Sequence, residues 1–282
     1  MAYELDILIP TCDRPAALAA TLSGLCSQSR KPFRLMISDQ TSDLDVMDSG
    51  EIRALLRVLQ AQGNAVSVHK HLPKRGMAEQ RQFLLGLSEA RYCLFLDDDL
   101  LLEPDILERL MKTIHEEECG FVGAAPIGLS YLREERPQQQ AIEFWEGPVE
   151  PETVVPHGPR WRRHVLHNAA NIYHVQRRLG LGSGRQKKYK VAWIGGCILY
   201  DRRKLEGEGG YGFWTRLPKD HCGEDVLVQL RLMSRYGGCG IIPSGVYHLE
   251  LPTTVKERRV NAAEAFFNGS EFDFQREQGL GR

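Results

Sequence analysis

The chain has 282 residues, 42% of them hydrophobic, and a formal net charge of −1. This is enough to bury a full core in one large domain or a domain with a lobe, and it excludes a disordered tail or a polyanion binder recognisable by charge alone. No apolar run approaches the roughly 20 residues of a bilayer crossing, no basic region with an apolar stretch opens the chain, and the 7 cysteines form no C-x-x-C pair. A reducing, cytoplasmic setting is therefore expected, with peripheral membrane contact left open.

In chain order, "ELDILIP" reads as a strand stopped by Pro10, and "RPAALAATLSGLCSQ" as a helix, with Leu18, Leu22 and Leu25 at helical spacing and Pro15 suited to its first turn. "FRLMISD", "EIRALLRVLQAQG" and "AVSVHKH" continue as strand, helix and strand, with Gly63 as the helix stop. "GMAEQRQFLLGLSEA" predicts a helix, "RYCLFLDDD" a fourth strand and "EPDILERLMKTIHEE" a further helix with Ile106, Leu110 and Ile114 on one stripe. Strands alternating with helices predict an α/β fold with a mostly parallel sheet flanked by helices. In such sheets ligands bind beyond the carboxyl ends of the strands, and Asp97, Asp98 and Asp99 sit at such an end. If the extended backbone persists that far, Asp97 and Asp99 point to one side and Asp98 to the other. A solvated acidic turn before the next helix is the alternative, but adjacent carboxylates repel unless a cation answers them.

From Thr153 to Tyr200 there is no Asp or Glu, while Arg160, Arg162, Arg163, Arg177, Arg178, Arg185, Lys187, Lys188 and Lys190 are present. Such a segment is expected to face an anion, or else to pair with the acidic stretch at 97–118. No aromatic stacking motif accompanies it, which argues against nucleic acid. "GLGSGR" lacks the G-K-[ST] ending of a phosphate loop and reads as a hinge. "KVAWIGGCILYDRRKL" predicts a strand through Trp193 and Ile194, close backbone approach at Gly195 and Gly196, and a second strand through Leu199. Glu224 and Asp225 open a helix that Gly237 stops, and "IIPSGVYHLELP" predicts a strand ending at His248. Taken alone Asp225 is a helix cap and His248 a structural histidine. In the tail, Phe266, Phe267, Phe272 and Phe274 would fold back on the core, cover an acceptor or meet a second subunit, and "NGS" at 268 fits a glycosylation acceptor of little weight here.

The ordered set "DILIPTCDRP", "ISDQTSD", "RGMAEQR", "FLDDDLLLEPDIL", "IGGCILYDRR", "GEDVLVQLRL" and "VYH" resembles the segments of family 2 glycosyltransferases, over residues 4–125 and 190–250. The resemblance implies the GT-A fold. It divides the chain into a nucleotide-sugar-binding half (1–125), a variable basic lid or acceptor segment (126–190), an acceptor and catalytic half (191–250) and a tail (251–282). Thr11 and Arg14 match the nucleotide-contacting turn, and Asp39 the aspartate that meets base or ribose, with Ser38 where the family often has another aspartate. Arg75 and Arg81 fall where the family helps hold base and phosphate. Asp97 and Asp99 correspond to the D-x-D pair, Asp99 as metal ligand and Asp97 nearer the ribose, while Asp98, Gly196 and Glu224 join the substrate-binding set. Asp225 matches the catalytic base of inverting members, and His248 lies where some GT-A enzymes bind the metal.

The resemblance thus implies a glycosyltransferase using Mn2+ or Mg2+ and a nucleotide-diphosphate sugar, UDP-sugar favoured, with a saccharide, lipid or other hydroxyl acceptor. The competing expectations are a retaining GT-A transferase and a catalytically silent nucleotide-sugar binder. A nucleotidyltransferase is disfavoured because no Gly-rich signature comes after the first strand.

Overall fold

The computed structural model describes residues 3–42, 45–182, 184–255 and 257–267. Its sheet begins as a parallel set. β1 (Leu5–Thr11) pairs with β2 (Arg34–Asp39) and β4 (Tyr92–Leu96), and β3 (Ala65–Lys70) extends the sheet beyond β2. Every residue of β1 and β4 is buried, as in strands covered on both faces. Leu8 joins one core while Ile7 and Ile9 join the other. The connections are α1 (Pro15–Cys26), α2 (Gly50–Ala61), α3 (Met77–Leu87) and, after β4, α4 (Ile106–Glu117). These agree with the helices expected from apolar spacing.

Beyond β4 the sheet changes direction. β8 (Cys197–Asp201) runs antiparallel between β4 and β6 (Phe121–Gly123), then come β10 (Gly238–Ile242), parallel to β6, and β7 (Lys187–Tyr189), antiparallel at the edge. The order is β3-β2-β1-β4-β8-β6-β10-β7. Because β8 is reversed, its start at Cys197 lies at the end of the sheet where β1, β2 and β4 finish.

Two small sheets place the remaining pieces. β5 (Leu100–Leu102) pairs antiparallel with β11 (Val246–His248), setting His248 opposite Leu100. β9 (His221–Cys222) pairs with β12 (Val260–Asn261), leading into α8 (Ala262–Phe266). α5 (Asn171–Arg178), α6 (Arg202–Gly207) and α7 (Glu224–Tyr236) complete the helices used below. Among the described residues no helix is long and apolar enough to cross a membrane.

Three expectations are corrected. Trp193 and Ile194 are not in a strand: the Gln229 side chain accepts the Ile194 N–H at 2.8 Å and donates to its carbonyl at 2.7 Å, taking the place of a neighbouring strand. The strand expected through 241–248 is two, β10 and β11 in different sheets, divided at Pro243, which has no N–H to continue a ladder. Extended backbone stops at Leu96, so the alternation expected for Asp97 to Asp99 does not hold.

The basic middle segment is built into the protein. Leu166, Ile172, Val175 and Tyr189 are buried in the core, Arg163 pairs with Glu143 and Glu152 at 2.9 and 2.6 Å, and Lys188 pairs with Glu117. Part of its charge is thus answered internally, the last pair by the acidic 97–118 stretch. Residues 180–185, the expected hinge, connect α5 to β7, with Ser183 outside the described residues. Phe266 lies tilted against Phe213 with ring centres 6.2 Å apart and Phe267 is buried, so the start of the tail folds back on the core, whereas Phe272, Phe274 and the "NGS" at 268–270 lie outside the described residues.

Candidate active site

Four loops converge at the carboxyl ends of β1, β2 and β4. Thr11, the last residue of β1, is buried and donates its hydroxyl to Asp98 Oδ2 at 2.6 Å. Arg14, just before α1, donates to Asp99 Oδ2 at 2.7 Å and reaches Asp98 Oδ1 at 3.5 Å, and it also bonds the Pro252 carbonyl. Asp97 instead accepts from Arg81 at 3.1 Å. The three adjacent carboxylates are tolerated because two guanidinium groups and a hydroxyl from other elements meet them. Burial pushes Asp98 up to about 6 despite the Thr11 bond, and burial also raises Asp99, against the pull of His248 and Arg14.

Asp39, at the end of β2, is fully buried, with one oxygen accepting the Thr41 amide and the other Lys70, both at 2.8 Å. Lys70 gave no signal in the sequence beyond being a basic residue at a strand end. Arg75 is exposed on the loop between β3 and α3. Gly196 has φ +75°, and a Cβ there would lie 3.0 Å from Pro126 and 3.4 Å from Asp97 Oδ2. Its carbonyl accepts the Asp97 N–H at 2.8 Å, so this glycine sets the backbone on which Asp97 is presented.

Across the site, α7 begins with Glu224 and Asp225. Glu224 is buried and lies 3.4 Å from Arg81 Nε; Asp225 is half-buried and accepts the Val226 N–H at 2.9 Å. Burial, then the adjacent Glu224, pushes Asp225 up to about 7, while Arg81 opposes the rise. Arg81 is 4% exposed and therefore sits inside the site rather than at its mouth; it reaches the D-x-D and E-D segments together. His221, a residue with no signal in the sequence, accepts the Ala78 N–H at the head of α3 and faces the Pro218 carbonyl with its other nitrogen.

His248 reaches the site through β11. Its Nε2 lies 3.7 Å from Asp99 Oδ2, and the Leu249 N–H donates to the Asp99 carbonyl at 2.9 Å. Carboxylate oxygen and imidazole nitrogen are suitable donors for Mn2+ or Mg2+. Among the described residues no group of three or more His, Cys, Asp or Glu converges to hold a metal, so the protein would supply two donors and leave the rest to phosphate and water. Both donors have partners already: Arg14 on Asp99, and the Glu250 N–H on His248 Nδ1 at 2.6 Å, which leaves the imidazole proton on Nε2. The donor set fits a cation provided Arg14 yields Asp99, the Glu250 N–H leaves His248 Nδ1 and the imidazole proton moves there from Nε2.

Beside His248 a cavity of about 350 Å³ is lined by Pro126, Gly128, Tyr131, His167, Glu250 and Leu251, among others. Burial takes His167 down to about 4, so this wall is neutral, and its Nε2 lies 3.0 Å from the Tyr189 hydroxyl. The open space beside the carboxylate site is thus rimmed by imidazole, carboxylate and aromatic groups.

Comparison with known proteins agrees with this architecture. The chain is 29% identical over 150 residues to an uncharacterized glycosyltransferase of Haemophilus influenzae, a match covering 49% of this chain and 47% of that protein, so the chain spans about half the length of the curated relative it matches. Among solved structures it is similar to S. aureus TarS (TM-score 0.56, 14% identity, 87% of this chain and 36% of that one). It is likewise similar to TarS 1–349 in complex with UDP-GlcNAc (TM-score 0.56, 13% identity, 89% of this chain and 60% of that one). The sheet order with its reversed β8 and the likeness to these glycosyltransferases give the fold as GT-A. A model of Glycosyl transferase family 2 matches residues 6–179, more than half of the sequence, and the chain belongs to that family.

Proposed function

We propose that this glycosyltransferase moves a sugar from a nucleotide-diphosphate donor, UDP-sugar favoured, to a hydroxyl of a saccharide or lipid acceptor, with inversion at the anomeric carbon. The observation that carries the proposal is the meeting of Asp97, first of the three aspartates, with Glu224, the neighbour of Asp225 and far away in sequence, at Arg81. That UDP and UDP-GlcNAc are bound in the TarS structures supports the choice of nucleotide.

On this reading Thr11, Arg14, Asp39 and Arg75 receive the nucleotide around the ends of β1 and β2, and Asp97 and Gly196 face the ribose and sugar. Asp99 and His248 would hold Mn2+ or Mg2+, whose positive charge would stabilise the departing nucleotide diphosphate. Asp225 has the properties of a general base near neutral pH: mostly buried with part of its surface open, at a helix start, and raised to about 7 by burial and Glu224. It takes the acceptor hydroxyl proton as the acceptor oxygen bonds the anomeric carbon from the face opposite the diphosphate. The anomeric bond to the donor oxygen breaks, and its electron pair leaves with the nucleotide diphosphate. Residues 1–125 act as the donor half and 191–250 as the acceptor half, with 126–190 as the platform that meets the acceptor beside His248.

Asp225→Asn is expected to lower transfer on the order of 10²-fold or more while leaving UDP affinity nearly intact. Turnover of UDP-sugar and titration of UDP, measured side by side, check this. Near-normal turnover would remove Asp225 from the role of base.

A further inference from the structure

Arg81 lies at the middle of α3 with 4% of its surface exposed. Its guanidinium reaches Asp97 Oδ1 at 3.1 Å and Glu224 Oε1 at 3.4 Å, and lies 5.5 Å from the centre of the Phe95 ring. A planar fork suits two carboxylates in different directions, where an ammonium would serve as a single point charge. We propose that Arg81 is a positioning residue that locks the segment of Asp97 and that of Glu224 and Asp225 into one geometry and acts as their shared buried counter-ion. The inference rests on the reading of Asp225 as the base.

Two observations beyond the ion pairs support it. First, α3 is pinned so that Arg81 has little freedom to leave. At its head the Ala78 N–H donates to His221 Nε2 at 3.0 Å. The ring approaches because Gly76 has φ +106° and no Cβ, which would lie 2.6 Å from the imidazole. On either side of Arg81, Gln80 donates to the Ser38 carbonyl at 2.8 Å and Gln82 accepts the Tyr211 N–H at 2.8 Å. His221 stands shortly before Gly223 and Glu224, so the same contact ties the base-bearing loop to the helix that carries Arg81.

Second, charge is short of balance. Asp225 is faced by Glu224 from its own helix, Asp97 from the end of β4, Arg81 from α3, and the buried phenols of Tyr200 and Tyr211, while Arg258 acts on Glu224 from outside. One buried guanidinium serves three carboxyl groups. Burial and like charge raise Asp225, and Arg81 is the cation that opposes the rise. Removing it would raise Asp225 further and free the two segments from each other.

The test uses Arg81→Lys and Arg81→Met in the full chain. With UDP-sugar, Arg81→Lys should lower kcat on the order of 10²-fold, the scale of an ångström-level misplacement, and by more than it weakens UDP binding through Asp97. Its acid limb of kcat/KM should move upward. Independently of turnover, Arg81→Met should lose more melting temperature at pH 8 than at pH 5, because Glu224 and Asp225 then lack the buried cation that answers them. If Arg81→Met does not fold, the same comparison is made on Arg81→Lys, whose displaced ammonium should give a smaller loss of the same sign. A loss equal at both pH values, or wild-type kcat with an unmoved limb in Arg81→Lys, would overturn the proposal. If the chain turns over no UDP-sugar at all, the function proposed above fails, and the melting comparison still decides the counter-ion role.

Discussion

At the scale of single residues, the carboxylates divide into those held by the fold and the one left poised. Asp98 is buried under the Thr11 hydroxyl, and Asp99 is engaged by Arg14. Asp225 keeps part of its surface open and is raised to about 7 by burial and Glu224. That one property bears on both rate and stability. A base must be ionised, so kcat/KM should fall about tenfold per pH unit below roughly pH 7, and a limb near pH 4 instead would show that Asp225 titrates as an ordinary carboxylate. For stability the sign is opposite to that of a salt-bridged aspartate. Between its ordinary value of 3.8 and about 7, folded Asp225 keeps a proton that the unfolded chain releases, so its contribution to stability declines as pH rises through that window. Asp225→Asn should therefore melt higher than wild type at pH 8, by roughly 2–4 °C for each kcal/mol recovered, with the advantage vanishing near pH 4. Thermal melts at the two pH values decide it, and a lower melting point at pH 8 would contradict the burial argument. The three aspartates were legible in the sequence as a site, but their partners were not. Nothing local to "DDD" says that Arg14 and Arg81 rather than alternation on a strand decide which carboxylate faces which way.

At the scale of elements, the site is made where regular structure stops. β4 ends at Leu96, β8 starts at Cys197, and the residues between their ends, Asp97 and Gly196, share a backbone hydrogen bond. Gly196→Ala would put a methyl group 3.0 Å from Pro126 in a left-handed backbone that disfavours any Cβ by roughly 1–2 kcal/mol. The expected outcome is a lower melting temperature together with weaker UDP binding, because Asp97 moves with the strained backbone. Unchanged UDP affinity in a destabilised variant would separate Gly196 from the donor site. The glycine pair was readable as a close approach. The stretch just before it was misread, because an apolar run such as "VAWI" signals burial without stating which partner satisfies its backbone, and here the Gln229 side chain does so. β6, three buried residues with no alternation, left no signal of its own.

At the scale of the whole molecule, the parallel half with its helices was legible because strand and helix periods alternate cleanly over the first 118 residues. The second half was less so, since its strands are short and long-range partners define them. The family match runs through residues 126–179, across much of the basic segment that looked least familiar. Whether that segment closes over donor as a lid or stands as a platform is decided by what it buries. Leu166, Ile172, Val175 and Tyr189 are each no more than 2% exposed, and lifting them into water would cost about 1.5–3 kcal/mol for each apolar side chain. That exceeds what a modest nucleotide-driven closure can offset, so rigid-body opening is disfavoured, whereas exposed stretches such as 129–135 and the turn at Gly184 and Arg185 can move without that cost. Limited trypsin digestion should therefore cut in that turn, after Arg185, and leave Arg163, paired with Glu143 and Glu152, resistant. Adding UDP with manganese should slow the cut at Arg185 by less than about threefold if the segment is a standing platform. Strong protection by nucleotide and metal together, or cleavage at Arg163 in their absence, would instead mean that residues 126–190 order over the bound donor.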